Sequence, residues 1–175
     1  MKQNKDPGDA RIAISGKSGC GNTTVSRLVA ERLGLRFINF TFRTLAAERG
    51  ISLEEALERA AADDSWDREV DRRQTAIARE DGGSVLGSRL AIWMLEEADL
   101  KVYLKAAPDI RARRIAEREG GDIGAVAAFT AERDRQDRER YLRLYRIDND
   151  DYGFADLVVD TGALDPQGIG DIIIA

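Results

Sequence analysis

Histidine is absent from the 175-residue chain. Zinc hydrolases built on imidazole ligands, and Ser-His or Cys-His nucleophilic systems, are thereby excluded. Any catalysis must run on Asp, Glu, Arg, Lys, backbone amides or a hard metal ion. Cysteine occurs once, at Cys20, so no internal disulfide framework exists, and a reducing compartment, the cytoplasm, is the expected home. No apolar run approaches the roughly 18 residues that a membrane-spanning helix needs. The start, Met1-Lys2-Gln3-Asn4-Lys5-Asp6, is polar and lacks the apolar centre of a secretory signal. Positive charge is not in excess either. The 27 Lys and Arg stand against 32 Asp and Glu, which argues against general nucleic-acid binding. The expected partners are therefore small molecules, with no membrane and no nucleic acid, and the chain is expected to be a monomer.

What is present is a rhythm. Short apolar runs alternate with helical segments, the pattern of a parallel α/β sheet, and the length fits one domain spanning 1–175. Arg11 to Ser15 reads as the first strand and Thr23 to Leu33 as a helix ended by Gly34, with Leu35 to Ile38 a second strand. Three helices follow without a strand between them: Phe42 to Arg49, Leu53 to Ala62 and Trp66 to Glu80. Ser52 and Glu55 mark the second start as a capping box. Asp81-Gly82-Gly83 is a turn, Ser84 to Leu86 a strand, Leu90 to Leu95 a helix and Lys101 to Leu104 a strand. A helix opens at Pro108-Asp109 and stops at Gly120-Gly121, and an arginine-rich helix covers Gly124 to Tyr145. Leu157 to Val159 is the last strand, before a short apolar element. The expected fold is thus a five-stranded parallel sheet carrying two helical insertions, about 41–80 and 114–146.

Between the first strand and first helix lies Gly16-Lys17-Ser18-Gly19-Cys20-Gly21-Asn22-Thr23, followed by Thr24. The spacing is that of a phosphate loop, G-x-x-x-x-G-x-T. Its glycines let backbone amides turn inward around phosphate oxygens, the helix start adds a positive dipole end, and Thr23 offers a hydroxyl to Mg²⁺. These residues are the expected ATP site. One position departs from the pattern: Asn22 stands where a lysine normally reaches the β- and γ-phosphates. Asn donates a hydrogen bond but supplies no charge. Lys17, on the same loop, is the candidate replacement; the alternative is that it points to solvent. Cys20 reads as a small neutral loop residue.

The other signals are arginines, which neutralise and position phosphoryl charge with a fixed bidentate fork. Ten arginines and seven acids lie between Arg111 and Arg146, a locally basic stretch in an acidic chain. Arg43 follows the second strand, where an acceptor phosphate would sit. Asp71, Arg72, Arg73 and Gln74 lie on the third inserted helix, and Arg89 follows the strand at 84–86, on the carboxyl side where such sheets bind ligands.

In order along the chain, Ile14-Ser15-Gly16, Thr23-Thr24-Val25, Phe42-Arg43, Val70-Asp71-Arg72-Arg73-Gln74, Arg89-Leu90-Ala91, Ala98-Asp99-Leu100-Lys101, Arg114-Ile115-Ala116-Glu117-Arg118, Arg140-Tyr141, Ile147-Asp148 and Asp150-Asp151 form a set. Almost from end to end, this set resembles the short cytidylate kinases of archaea and some bacteria. The resemblance implies Mg²⁺-dependent transfer of a phosphoryl group from ATP to CMP or dCMP. It implies that the 41–80 insertion binds the monophosphate through Arg43, with Arg89 and Arg73 close by. It also implies a lid over ATP, with Arg114, Arg118, Arg133 and Arg140 as charge clamps. Two departures accompany Asn22: Gly87-Ser88-Arg89 lacks an acid common before the Gly-Arg pair, and the turn Asn39-Phe40-Thr41 is short. A kinase for another small acceptor, or a nucleotide sensor with little catalysis, are the competing readings.

Overall fold

The computed structural model describes residues 7–80 and 82–175. The polar start at 1–6 and Asp81 of the expected Asp81-Gly82-Gly83 turn lie outside the described residues. A short 3₁₀ turn, Pro7–Asp9, leads into β1, Arg11–Gly16. There follow α1 (Asn22–Leu33), β2 (Arg36–Ile38), α2 (Phe42–Glu48), α3 (Leu53–Ala62), α4 (Ser65–Arg79), β3 (Ser84–Gly87) and α5 (Ala91–Met94). The chain then runs through β4 (Leu100–Lys105), α6 (Pro108–Glu119), α7 (Ile123–Tyr145), β5 (Leu157–Asp160) and α8 (Pro166–Ile174).

All four strand pairings are parallel, in the order β2-β3-β1-β4-β5. The expected sheet is the observed one. Its central strands are buried on both faces, which is why they read as unbroken apolar runs such as Ile12-Ala13-Ile14 and Val102-Tyr103-Leu104. One face packs Ile12, Ile14, Val102 and Leu104 against Val25 and Val29 of α1 and Ile169 and Ile173 of α8. The other packs Ala13, Leu86 and Tyr103 against Ala78 of α4 and Ala91, Ile92 and Leu95 around α5. Helices α2 to α4 share a third cluster of their own: Phe40, Leu45, Ala46, Ala56, Trp66 and Val70. Among the described residues no helix is long and apolar enough to cross a membrane.

Most boundaries fall within a residue of expectation, and two differences are instructive. Ser52 caps α3 by accepting from the Glu55 amide at 3.1 Å, but the reciprocal half of the capping box is missing because the Glu55 carboxylate turns to Arg59 at 2.5 Å. The complete box forms one helix earlier, where Thr41 and Thr44 cap each other's amides. The helix expected over Leu90 to Leu95 is only the single turn of α5, since both flanking leucines leave helical geometry to fill the core.

Candidate active site

Because the sheet is parallel, every strand delivers its carboxyl end to one rim, and the glycine-rich loop after β1 occupies the centre of that rim. Its shape is enforced by neighbours. Gly19 has φ 84°, and a Cβ there would lie 2.8–2.9 Å from the Arg111 backbone and Cβ, so α6 presses directly on the loop. Only glycine satisfies both the left-handed backbone and the close approach. Arg111, itself buried, donates to the Ser18 carbonyl at 3.1 Å, and Arg114 donates to the Gly19 carbonyl at 3.3 Å. From the far side the Thr161 hydroxyl, just past β5, donates to the Cys20 carbonyl at 3.1 Å. The loop's carbonyls are thus drawn outward.

Asn22 lines this rim, but its side chain is committed to the backbone and to Ser26. Its amide nitrogen donates to the Ile14 carbonyl at 3.1 Å and the Ser88 carbonyl at 3.2 Å, while its oxygen accepts from the Ser26 hydroxyl at 3.0 Å. The residue brackets the ends of β1 and β3. Gly87 is required beside it, since a Cβ there would sit 2.5 Å from Ser26 Oγ and 3.1 Å from Asn22 Oδ1. Asn22→Ala removes both bonds, and the one to Ser26, although the Ile14 and Ser88 carbonyls each keep a backbone donor, the Ser88 and Ala91 amides; it is expected to destabilise the fold by about 1–3 kcal/mol. Urea unfolding of parent and variant measures this, and equal midpoints would refute the bracket.

A cavity of about 400 Å³ opens over the loop. Gly16, Lys17, Ser18, Gly19, Gly21, Asn22, Thr23 and Thr24 line it together with Arg89, Arg118 and Arg133. Four cations from four elements therefore converge on the loop. Arg89, on the turn after β3, donates to the Ser18 hydroxyl at 2.6 Å and forms an ion pair with Asp137 of α7. Partial burial, and then the neighbouring Arg89 charge, push the Arg133 guanidinium below its ordinary pKa. With Lys17 and Arg118 on the same lining, these cations favour a polyanion there. Arg118 is exposed and, among the described residues, bonded only to adjacent Glu119.

A second cavity of about 220 Å³ flanks the first and shares Gly19, Gly21, Thr24 and Arg118 with it. Arg114, Leu164, Pro166 and Ile169 complete its walls, and buried Cys20 lies at its base, its thiol pKa raised chiefly by burial. Arg114 is not free to swing: beyond Gly19 it donates to the Thr161 hydroxyl at 2.9 Å and carbonyl at 2.5 Å.

The remaining expected site residues stand apart from these cavities. Arg43 is exposed in the first turn of α2 at the end of β2, and its guanidinium has no ion pair among the described residues. The Asp71-to-Gln74 run is split by the 100° step of its helix. Asp71 turns inward, accepting from the Tyr145 hydroxyl at 2.7 Å, and burial raises its pKa to about 6. Gln74 donates to the Phe40 carbonyl at 2.6 Å. Arg73 holds Glu48 at 2.9 and 3.0 Å and lies over the Phe40 ring, whereas Arg72 faces solvent with Glu69. Arg140 joins α7 to α4, bonding Asp137 at 2.8 Å and approaching buried Asp67 at 3.6 Å. Two more contacts extend that seam: Arg143 to Asp64 at 2.7 Å and Tyr145 to Asp71.

Reasoning from sequence passed over the carboxylates of α7. Asp134 takes Arg111 at 2.6 Å, and Asp137 takes Arg89. A signal was available: Thr130, Asp134, Asp137, Tyr141 and Leu144 follow a 4-3-4-3 spacing, the inward stripe of a helix, and two of its five places are acidic. Acids on such a stripe are there to meet cations.

Residues 11–163 match the cytidylate kinase-like family. The chain is 46% identical over 167 residues to cytidylate kinase 2 of Borreliella afzelii, covering 93% of each. It is 43% identical over 166 residues to a cytidylate kinase of Pyrococcus horikoshii, covering 94% of this chain and 86% of that protein. Among solved structures, shikimate kinase from Bacteroides thetaiotaomicron superposes with a TM-score of 0.62 at 17% identity, covering 94% of both chains, a likeness of fold alone.

Proposed function

Given that the chain belongs to the cytidylate kinase-like family, we propose that it transfers the γ-phosphoryl group of ATP to CMP or dCMP, yielding ADP and CDP or dCDP. The observation that carries this reading is the convergence of Lys17, Arg89, Arg118 and Arg133 on one loop-floored cavity. Phosphoryl transfer needs little covalent help; positioning and charge neutralisation do most of the work.

In this reading the amides of residues 16–23 cradle the ATP phosphates at the start of α1. The base of ATP lies in the flanking cavity, between Arg114 and Arg118 on one side and Pro166 and Leu164 on the other, a slot suited to stacking a flat ring against guanidinium. Thr23 offers a hard oxygen in the phosphate cavity. Among the described residues no cluster of three or more acids, histidines or cysteines could cage a metal, which fits Mg²⁺ held by Thr23 and the ATP phosphates themselves. That ion would supply charge neutralisation at the β- and γ-phosphates. The α6–α7 pair is the lid, bringing Arg118 and Arg133 to the γ-phosphoryl group and excluding water that would otherwise hydrolyse ATP.

The acceptor lies toward β2 and β3, with its phosphate between Arg43 and Arg89 and its base toward the insertion bearing Asp71, Arg72, Arg73 and Gln74. An oxygen of the acceptor phosphate attacks the γ-phosphorus as the bond to the β,γ-bridging oxygen breaks, with no covalent enzyme intermediate. The single cysteine supports a cytoplasmic protein, and we assign it as a monomer, which light scattering on the purified chain tests.

An acceptor panel tests the function. With ATP and Mg²⁺, CMP and dCMP are expected to exceed UMP, AMP and dTMP by at least about 1.4 kcal/mol in specificity, a factor of ten in kcat/KM. Equal use of AMP or dTMP would remove the cytidylate assignment and leave a kinase for another small acceptor.

A further inference from the structure

Lys17 stands at a junction of cavities. It faces the phosphate cavity over the loop, and it also borders a separate cavity of about 340 Å³ between the ends of β4 and β5, walled by Tyr103, Lys105, Tyr152 and Asp160. A lysine stem has four rotatable bonds, so an untethered ammonium at this boundary would spend its time in water on either side. It is not untethered. Lys17 Nζ lies 2.5 Å from Asp150 Oδ1, and Asp150 borders the second cavity too.

Asp150 is in turn held. Its amide donates to Asp148 Oδ1 at 3.0 Å, and the Asp151 amide donates to the Asp148 carbonyl at 3.0 Å, so the 148–151 segment is a closed turn. Arg138 of α7 grips Asp148 with two bonds of 2.8 and 2.5 Å and reaches Asp150 Oδ2 at 3.5 Å. Charge contacts therefore lead from Arg138 of α7 through Asp150 to the one lysine of the loop, with Asp148 bracing the turn between them. An ammonium has three N–H donors. Asp150 engages one direction and leaves the others for phosphate oxygens.

We propose that Asp150 is a positioning residue for Lys17: it holds the ammonium at the boundary between the phosphate cavity and its neighbour, within reach of the phosphates, and Arg138 with Asp148 fixes that hold to the position of α7. The inference rests on the reading of Lys17 as the cation that serves the ATP phosphates. It gives the segment after α7 a task in the reaction without contact to any reacting atom. It also explains how a loop without lysine at position 22 keeps its charge in place, since the tether does the work that a helix-borne lysine's backbone would do.

The alternative is an ordinary half-exposed ion pair, which contributes little. A double-mutant cycle separates the two. Turnover at saturating ATP and CMP is measured for the parent, Lys17→Ala, Asp150→Asn and the double variant. Asp150→Asn is expected to lower kcat about tenfold, and the double variant to be no slower than Lys17→Ala alone, because a tether has no role once its lysine is gone. Asp150→Glu is expected to recover part of the loss. Independent multiplication of the two single losses, or turnover of Asp150→Asn within twofold of the parent, overturns the proposal. A second readout needs no catalysis and therefore stands even if the acceptor assignment fails. In side-chain NMR of ¹⁵N-lysine-labelled protein without nucleotide, the Lys17 ammonium is expected to give an ordered, slowly exchanging signal that Asp150→Asn abolishes. A Lys17 signal unchanged by Asp150→Asn overturns the tether itself.

Discussion

Lys17→Ala is expected to lower turnover at saturating ATP and CMP by about 10- to 1000-fold, roughly 1.4–4 kcal/mol of barrier. As the γ-phosphoryl group moves, charge collects on its oxygens, and backbone amides alone leave part of it unmatched. The usual lysine position holds Asn22, whose amide is committed to the Ile14 and Ser88 carbonyls. The nearest cation on the loop itself is Lys17. The competing account gives the whole burden to lid arginines. Of the two at the start of that element, Arg114 is engaged by Gly19 and Thr161 and holds the loop in shape, whereas Arg118 is bonded, among the described residues, only to Glu119, its neighbour in sequence, and can swing inward. On that account Lys17→Ala stays within twofold of the parent and Arg118→Ala is the severe change. Steady-state kinetics on the two variants decides between them. Adding Asn22→Lys to Lys17→Ala is expected to restore activity only in part, since the charge returns at the expense of the bracket between β1 and β3.

Arg89→Ala is expected to lose on two counts at once. Removing a charge-assisted bond to the acceptor phosphate weakens CMP by roughly 1.5–3 kcal/mol, an order of magnitude or more in affinity, with ATP much less affected. The same change leaves Asp137, buried on α7, with Arg140 as its remaining ion-pair partner, so thermal stability falls as well. Arg43→Ala, at an exposed side chain without an ion pair, is expected to weaken CMP comparably while the unfolding midpoint stays put. The pair of measurements, CMP affinity by calorimetry and unfolding by circular dichroism, thus distinguishes a binding arginine from one that binds and also supports the fold. Lysine at either position would recover only part of the binding, because it keeps charge but loses the fork. Unchanged CMP affinity in Arg43→Ala would show that the acceptor phosphate lies elsewhere.

The sheet was legible because burial on both faces writes parallel strands as continuous apolar runs, and because Gly34, Ser52 and Pro108 punctuate the helices by local chemistry. The phosphate loop was legible for the same reason: its constraint is local spacing. What the sequence concealed is long-range pairing. Arg89 and Asp137 are 48 positions apart, and Lys17 and Asp150 farther still, so no window of periodicity contains both partners. Neighbours in sequence are also separated in space. Asp71 to Gln74 reads as one motif, yet the helix turns Asp71, Arg73 and Gln74 toward other elements and leaves Arg72 in solvent. Asn22 looked like a gap in the charge pattern, and only its bonds to Ile14, Ser88 and Ser26 give it a structural task.

The seam between α4 and α7 has a thermodynamic corollary. Asp64, Asp67 and Asp71 meet Arg143, Arg140 and Tyr145 across it, two of those acids lying inside the fold, so neither helix moves without disturbing the other's partners. One helix carries the insertion assigned to the monophosphate and the other carries Arg133, assigned to ATP. The two ligands are then linked. Whatever factor CMP applies to the equilibrium affinity for ATP, ATP must apply to CMP, and the ion pairs Arg143–Asp64 and Arg140–Asp67 are where the seam would carry that coupling.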